Sequence, residues 1–205
     1  MASSSKPLDP LRRALKDIVG WFKATKTLGM IIGGVAASLL GRARATRDVD
    51  ALVWLAEEGW AHFLKEGEKA GLAPRIPDPL AFAFRSRVLL LKHTPTRTPV
   101  DISLAALDFE RAALERSVSR RVFGIRIPLP TPEDLIVLKA IPLRPQDVVD
   151  IDFLLQTNPD LDLDQIRRHV QELSDMLETP EVYQRLDELL ARAVKEGKKR
   201  RKKSS

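Results

Sequence analysis

The sequence predicts an α/β fold in which strands and helices alternate up to about residue 128 and helices alone follow. Three observations support this fold class. An apolar run at residues 28–32 leads into Gly33-Gly34 and a short helix, residues 74–104 are rich in strand patterns, and helical apolar spacing dominates from Pro130 onward. We therefore expect an α/β core over residues 9–128, a C-terminal helical part over 129–197 and a disordered basic tail over 198–205.

The first part of the chain is predicted to place a helix before the strand–turn–helix unit. Residues 1–8 are expected to be disordered, and Asp9-Pro10 is typical of a helix start with proline at the first helical position. Apolar residues at helical spacing then predict an amphipathic helix that ends before Gly29. The next elements expected are a strand at residues 28–32, a helix to about residue 40 and a strand at 48–53.

The middle of the chain is predicted to be rich in strands. In order, we expect a helix at residues 57–70, a weakly alternating strand at 80–84, an apolar run at 87–91, a strand at 100–104, a helix at 107–114 and a strand at 121–127. The last part is predicted to form four helices, at residues 131–140, 147–156, 164–177 and 179–195, each with a capping signal.

Composition excludes several classes of protein. The chain has no cysteine, which excludes a thiol nucleophile and a thiolate zinc site. Its apolar runs are far shorter than the ~20 residues of a membrane-spanning helix, and its first ten residues lack the apolar segment of a signal peptide. We expect a cytoplasmic protein with no membrane partner.

The positive charge is concentrated at one end of the sequence. The basic residues of the run KKRRKK at 198–203 equal the whole formal net charge of +6. The remainder of the chain is therefore neutral overall. The tail could hold nucleic acid through its phosphates, or it could simply keep the protein soluble.

Two short motifs between residues 31 and 53 carry the chemistry. Gly33-Gly34 lack side chains, so backbone N–H groups can approach an anion closely, and the helix that follows offers its positive end to the same anion. Asp48 and Asp50 alternate with an apolar residue on a strand, which directs both carboxylates to one face. Two carboxylates beside a phosphate loop favour a hard cation such as Mg²⁺ between them.

A third acid lies on another predicted strand. In the run VDISL at residues 100–104, the apolar side chains point one way and Asp101 points the other. By itself, this pattern is equally typical of a solvated strand residue.

Together these residues resemble the DNA polymerase β-like nucleotidyltransferase superfamily, and within it the small bacterial branch of AbiE-type abortive-infection toxins. The resemblance rests on the order Gly33-Gly34, Gly41, Arg44, Thr46, Asp48 and Asp50, with Asp-Val-Asp in place of the usual Asp-Ile-Asp. Gly-Gly stands where many members carry Gly-Ser, which removes a hydroxyl group that often holds a phosphate. A later segment, residues 131–155, resembles the second signature of the family, a helix with a lysine followed by Arg-Pro-x-Asp.

The resemblance implies a nucleotidyltransferase-type mixed sheet flanked by helices. It also implies an enzyme that moves a nucleoside monophosphate from a triphosphate such as ATP to a hydroxyl acceptor, with two Mg²⁺ ions, or Mn²⁺, as cofactors. Asp48, Asp50 and Asp101 would be the catalytic and metal-binding residues, with Asp101 also the candidate general base. The nucleotide-binding residues implied are Gly33, Gly34, Arg44, Thr46, Lys139 and Asp147. The acceptor could be a tRNA, a protein or a small molecule, and an antitoxin protein is a possible partner of a toxin-like member.

Several of these residues could also have ordinary structural roles. Arg44 could pair with a neighbouring acid, Thr46 could make a local hydrogen bond, and Lys139 could lie on the polar face of its helix. Asp147 could cap a helix start, and Asp150 is expected at the surface. Two other functions stay open as well: a catalytically idle nucleotide-binding or interaction protein on the same fold, and a nucleic-acid binder that uses the basic tail.

Overall fold

The computed structural model describes the backbone of residues 9–203, and the disorder expected for residues 1–8 and 204–205 lies outside the described residues. The chain divides into two compact units. The N-terminal unit comprises residues 9–35 and Ala45–Pro130. The C-terminal unit comprises Ala36–Arg44 and residues 131–203.

A mixed five-stranded sheet forms the centre of the N-terminal unit. Its strands are β1 (Leu28–Ile31), β2 (Val49–Trp54), β3 (Leu72–Pro74), β4 (Val88–His93) and β5 (Thr98–Leu104). Their order across the sheet is β1-β2-β5-β4-β3, with β2 and β5 parallel and the other pairs antiparallel. The α/β fold class predicted from the sequence is confirmed.

Helices pack beside this sheet because their apolar faces match its buried residues. They are α1 (Asp9–Ala24), α3 (Trp60–Lys69) after a 3₁₀ turn at Glu57–Gly59, α4 (Pro79–Ser86) and α5 (Asp108–Glu115). Helix α2 (Gly33–Leu40) follows β1 and belongs for most of its length to the C-terminal unit. Trp21 of α1 stacks on Phe63 of α3 with ring centroids 3.9 Å apart, and its indole N–H donates to the Phe63 carbonyl. The amphipathic first helix predicted from the sequence thus lies on the core.

Two of the predicted strands differ from the structure. The weakly alternating residues 80–84 belong to helix α4 rather than to a strand, because Pro79 occupies the first helical turn after Asp78 and five residues are too few for alternation to identify a strand. The single strand expected at residues 121–127 is a hairpin of β6 (Val118–Val122) and β7 (Ile125–Leu129). The chain reverses at Phe123 and Gly124, which both have positive φ.

The C-terminal unit is helical, as predicted. It contains α6 (Pro132–Ala140), α7 (Pro145–Thr157), α8 (Leu163–Met176) and α9 (Pro180–Lys203). Helix starts follow their caps: the Thr131 hydroxyl accepts from the Asp134 N–H at 3.1 Å, and Asp162 accepts from the Gln165 N–H at 2.8 Å. Helix α9 continues through residues 198–203, where the sequence predicts an unfolded tail, since lysine and arginine extend a helix readily.

The segment Ala36–Arg44 packs with these C-terminal helices rather than with the sheet. The Asn158 side chain donates to the Leu40 carbonyl at 3.1 Å, and a Cβ at Gly41 would meet Leu154 at 3.4 Å. Among the helices that the structure describes, none is long and apolar enough to cross a membrane.

Candidate active site

The central feature of the N-terminal unit is a pair of acids on adjoining parallel strands. Asp50 of β2 lies directly opposite Asp101 of β5 in the register. Their neighbours Val49, Val100 and Ile102 are fully buried, whereas both acids are partly exposed. Strand alternation therefore turns the two carboxylates to the same face of the sheet, as the sequence predicts for each strand separately.

Asp48 completes a group that we call the sheet carboxylates (Asp48, Asp50 and Asp101). It precedes β2 and is exposed, and its carboxylate accepts a hydrogen bond from the Thr46 hydroxyl at 2.9 Å. Thr46 thus makes the local hydrogen bond that was one of the two roles expected for it. Its predicted contact with a nucleotide stays a prediction.

Gly33 lies against Asp50, and only glycine fits there. Its φ is +60°, and a Cβ built on it would lie 1.9 Å from Asp50 Oδ2. The neighbouring Ile32 N–H donates to the Asp50 carbonyl at 2.9 Å. Gly33 is therefore packed directly on a sheet carboxylate, which explains why a residue without a side chain is needed at the start of α2.

An arginine that the sequence analysis did not select pairs with Asp101. Arg75 follows β3, its N–H donates to the Leu90 carbonyl at 2.9 Å, and its guanidinium forms an ion pair with the Asp101 carboxylate. A basic residue after a strand is too common a pattern to have indicated this contact. Only the antiparallel pairing of β3, β4 and β5 brings it to Asp101.

The environment of Asp101 disfavours its ionised form. Partial burial raises the pKa of the Asp101 carboxyl, the Arg75 guanidinium lowers it, and the Asp48 carboxylate raises it further, so that the pKa lies above its usual value. Arg75 thus offsets only part of the free-energy cost of ionising Asp101.

The donor chemistry of the sheet carboxylates suits a hard divalent cation, which prefers carboxylate oxygens. Within residues 9–203, however, no three acidic or histidine side chains converge closely enough to hold a metal ion. Asp101 is instead held by Arg75. The residues therefore fit Mg²⁺ by type and strand placement, and binding would require Asp101 to exchange Arg75 for the cation.

A second charged group lies wholly within the C-terminal unit. We call it the helix ion cluster (Arg44, Lys139, Arg144, Asp147 and Asp150). The Lys139 ammonium, on α6, lies 3.1 Å from Asp147 and 2.7 Å from Asp150, both on α7. All three of these side chains are buried.

Arginines complete the cluster. Arg44 donates two hydrogen bonds to Asp150, at 2.8 and 2.9 Å, and Arg144 pairs with Asp147 at 2.8 Å. Asp147 also accepts from the Arg144 backbone N–H at 3.1 Å, as the third residue of α7 in a capping box. The N-cap position that was the alternative expected for Asp147 is occupied by Arg144. The expectation that Asp150 lies at the surface is wrong: it is 2% exposed, because Lys139 and Arg44 compensate its charge.

The acids of this cluster have pKa shifts opposite to that of Asp101. Burial alone would raise the pKa of Asp147, but Arg144 and Lys139 outweigh it and lower the pKa. For Asp150, burial is likewise outweighed by Arg44 and Lys139, and the pKa is lowered. Of the residues predicted to bind nucleotide, Arg44, Lys139 and Asp147 thus have their charges met within the cluster.

Comparison with known proteins identifies the fold. No protein-family model matches the chain, and no curated protein matches it. A solved structure of an antigenic nucleotidyltransferase-like protein from Paracoccidioides brasiliensis superposes with a TM-score of 0.50 at 14% identity, covering 86% of this chain and 93% of that one. The chain has a nucleotidyltransferase-like fold.

A second solved structure, that of the antibiotic-resistance factor ANT(2'')-Ia, superposes with a TM-score of 0.57 at 14% identity. It covers 86% of this chain and 98% of the other. The nucleotidyltransferase-like fold is therefore shared over most of this chain. At this identity the likeness concerns the fold, and membership of the AbiE-type branch stays a prediction.

Proposed function

We propose that the protein is a Mg²⁺-dependent nucleotidyltransferase that moves a nucleoside monophosphate from a nucleoside triphosphate to a hydroxyl acceptor. The observation that carries this proposal is the pairing of Asp50 with Asp101 across two parallel strands, with Gly33 packed on Asp50. The nucleotidyltransferase-like fold, shared with a solved structure of a nucleotidyltransferase-like protein, supports the proposal.

Asp48, Asp50 and Asp101 would hold the metal. A bound Mg²⁺ would offset the negative charge of the triphosphate and lower the pKa of the acceptor hydroxyl. The backbone at Gly33 and Gly34 would bind phosphate oxygens at the start of α2, where N–H groups point toward an anion. Arg75, once exchanged from Asp101, would be available to pair with a phosphate.

In the reaction, the acceptor oxygen forms a bond to the α-phosphorus while the bond from that phosphorus to the bridging oxygen breaks, and pyrophosphate leaves. Asp101 would accept the proton of the acceptor hydroxyl. The chain's own part is thus mainly positioning and charge compensation.

For Lys139, Arg44 and Asp147 we favour a structural role over direct contact with the nucleotide. Each has its charge compensated inside the helix ion cluster, and Lys139 is only 5% exposed. A phosphate could reach Lys139 only by separating it from two carboxylates. The contact of these residues with a nucleotide, which the sequence resemblance implies, stays a prediction. The effect of Lys139→Met on stability distinguishes this contact from a structural role.

The test is a thermal-shift series with ATP, CTP, GTP and UTP, each with and without Mg²⁺, followed by labelled transfer. One triphosphate should stabilise the protein only with Mg²⁺, by about 2.7 kcal/mol at a hundredfold excess over its dissociation constant. Asp101→Asn and Asp48→Asn should abolish transfer, at least about a thousandfold, while the fold persists. Asp160→Asn, which removes an exposed acid from a loop of the C-terminal unit, is the matched control and should behave like the parent. Transfer retained by Asp101→Asn would refute the proposal.

A second candidate is a catalytically idle nucleotide-binding or interaction protein. The ion pair between Arg75 and Asp101 favours it, since this pair neutralises one of the acids that catalysis requires. Metal-dependent nucleotide binding without any transfer, across acceptors that include tRNA, protein and small hydroxyl compounds, would identify this function.

Within the main proposal, the transferase would act as a toxin with an antitoxin protein as its partner. Growth arrest on expression of the parent but not of Asp101→Asn would support this role.

A further inference from the structure

The hairpin of β6 and β7 carries a concentration of positive charge with no acidic counterpart in its own sequence. No acidic residue occurs between Glu115 and Glu133, whereas arginine occurs at positions 116, 120, 121 and 126. The hairpin forms its own two-stranded sheet, separate from the central one. This local charge is independent of the basic run in α9.

The two faces of the hairpin differ sharply. In the antiparallel register, Ile127 and Leu129 of β7 share one face and are fully buried, so β7 packs on the unit through this face. Their cross-strand partners on β6, Arg120 and Val118, are exposed. Arg121 lies opposite Arg126 on the other face, next to the pair Ser119 and Pro128. Both arginines are exposed, and in the part of the chain that the structure describes neither forms an ion pair with an acid.

Two features of this outer face oppose folding. Like charges placed directly opposite each other across a strand pair repel. At the turn, Phe123 has φ of +53° beside Gly124 at +77°, a turn that asparagine and glycine prefer and that an aromatic residue rarely adopts. The Phe123 side chain is also 42% exposed. The repulsion therefore does not serve the packing of the unit, and part of the ring is left to solvent.

We propose that the outer face of this hairpin binds single-stranded nucleic acid, with Arg121 and Arg126 on backbone phosphates and Phe123 stacked on an unpaired base. Phosphates would relieve the repulsion between the arginines, and a base would cover the exposed ring. This combination of a basic surface and an aromatic platform is the general chemistry by which proteins bind single strands. The neighbours Ser119 and Pro128 provide no apolar belt of the kind that insertion into a lipid surface requires.

The surface favours single strands over duplexes. The ring at the turn can stack only on a base whose face is free, which a duplex offers only at its ends. Phosphates and base faces are common to RNA and DNA, so both kinds of single strand should bind. This inference does not depend on the proposed transferase activity, because it concerns binding in the absence of triphosphate and metal.

The experiment measures the affinity of the full chain for a short fluorescein-labelled single strand, as RNA and as DNA, by fluorescence anisotropy across a salt series. The double variant Arg121→Gln/Arg126→Gln should bind roughly tenfold more weakly, and the slope of log affinity against log salt should fall by about 1.4, since each lost phosphate contact of a single strand contributes about 0.7. Phe123→Asn should bind at least about fivefold more weakly without this change of slope. The same sequence as a duplex should bind more weakly than the single strand.

The controls separate this surface from general charge and from misfolding. Arg12→Gln/Arg13→Gln removes the same charge from exposed positions of α1 and should leave the affinity within about twofold of the parent. Both hairpin variants should melt at or above the parental temperature, because each removes a feature that opposes folding.

Equal losses in the α1 control and the hairpin variant would overturn the proposal, as would unchanged affinity in either hairpin variant. Preference for the duplex would also overturn it. The surface would be a membrane-binding site instead if anionic vesicles bind through Arg121 and Arg126 while the affinity for the labelled strand does not depend on these residues.

Discussion

The sheet carboxylates and the helix ion cluster contain the same acid, aspartate, in opposite electrostatic environments. Asp101 is only partly compensated by Arg75, and its pKa is raised. Asp147 and Asp150 are more deeply buried, yet their pKa values are lowered because basic side chains surround them. Burial alone therefore does not decide the pKa of a carboxyl group. The balance of nearby charge does, and an incompletely compensated acid is the better candidate for a ligand site.

The largest effect on stability is expected where the compensated cluster is broken. Lys139→Met leaves Asp147 and Asp150 buried without their shared cation, and should lower the free energy of unfolding by about 3 kcal/mol. Urea denaturation measures this change. Lys69→Met, which removes a solvent-exposed partner of Glu66, is the matched control and should change stability little.

The same variant tests the comparison between the two groups of acids. A Lys139→Met protein with parental stability that has lost its stabilisation by triphosphate would show that Lys139 binds phosphate, as the sequence resemblance implies. The helix ion cluster would then be part of the nucleotide site, and its interpretation as a structural feature would be wrong.

Lowering the pH should change the stability contributed by the sheet carboxylates and by the helix ion cluster in opposite directions. Because the folded-state pKa values of Asp147 and Asp150 are lowered, their ionised forms stabilise the fold above the ordinary carboxyl pKa near ~4, and this stabilisation is lost as the pH falls through that value and below. Asp101 behaves conversely: its raised pKa means that ionisation costs stability, and the cost disappears as the pH falls through the raised value.

Denaturation followed from about pH 7 to about pH 3 separates these contributions. Asp150→Asn should be less stable than the parent near neutrality and lose less of its stability in acid. Asp101→Asn should be slightly more stable than the parent near neutrality and lose slightly more of its stability in acid, because it lacks the gain that protonation of Asp101 provides. Parallel pH curves for all three proteins would show that the two groups do not differ as described.

Gly33 supports the sheet carboxylates through close contact, so enlarging it should disturb them. Gly33→Ala adds a methyl group where Asp50 Oδ2 lies and imposes a positive φ that costs about 1–2 kcal/mol. It should lower the melting temperature and weaken Mn²⁺ binding measured by calorimetry. Gly20→Ala, in helix α1 with no atom within 4 Å of the added methyl group, is the matched control and should stabilise the protein by up to about 1 kcal/mol. Equal stability of the two variants would contradict the packing described for Gly33.

The smallest effect is expected for the arginine that compensates Asp101. Arg75→Gln removes the cation that competes with a metal for this carboxylate, and should tighten Mn²⁺ binding by about two- to fivefold, the range set by a partly exposed ion pair. Arg97→Gln, on an exposed turn, controls for the change in net charge. Weaker Mn²⁺ binding by Arg75→Gln would mean that Arg75 positions Asp101 for the metal rather than competing with it.

Local patterns in the sequence predicted much of this structure. The order of strand, Gly-Gly turn, helix and Asp-x-Asp strand follows from apolar periodicity and glycine conformation within a few residues. The C-terminal helices follow from caps such as Thr131 and Asp162. The errors at residues 80–84 and 121–127 arose where apolar runs are short and the turn residue, Phe123, is not one that turns usually contain.

By itself, the sequence determined the fold class and the acids that face outward from each strand, because strand and helix periodicity is a local property of the chain. Only the tertiary structure decided which charges meet. Arg75 pairs with Asp101 across 26 positions, and Arg44 pairs with Asp150 across 106. Such contacts depend on how strands and helices pack. This packing places aspartates that look alike in the sequence in two environments, a partly compensated pair on the sheet and a cluster in which basic side chains compensate both acids.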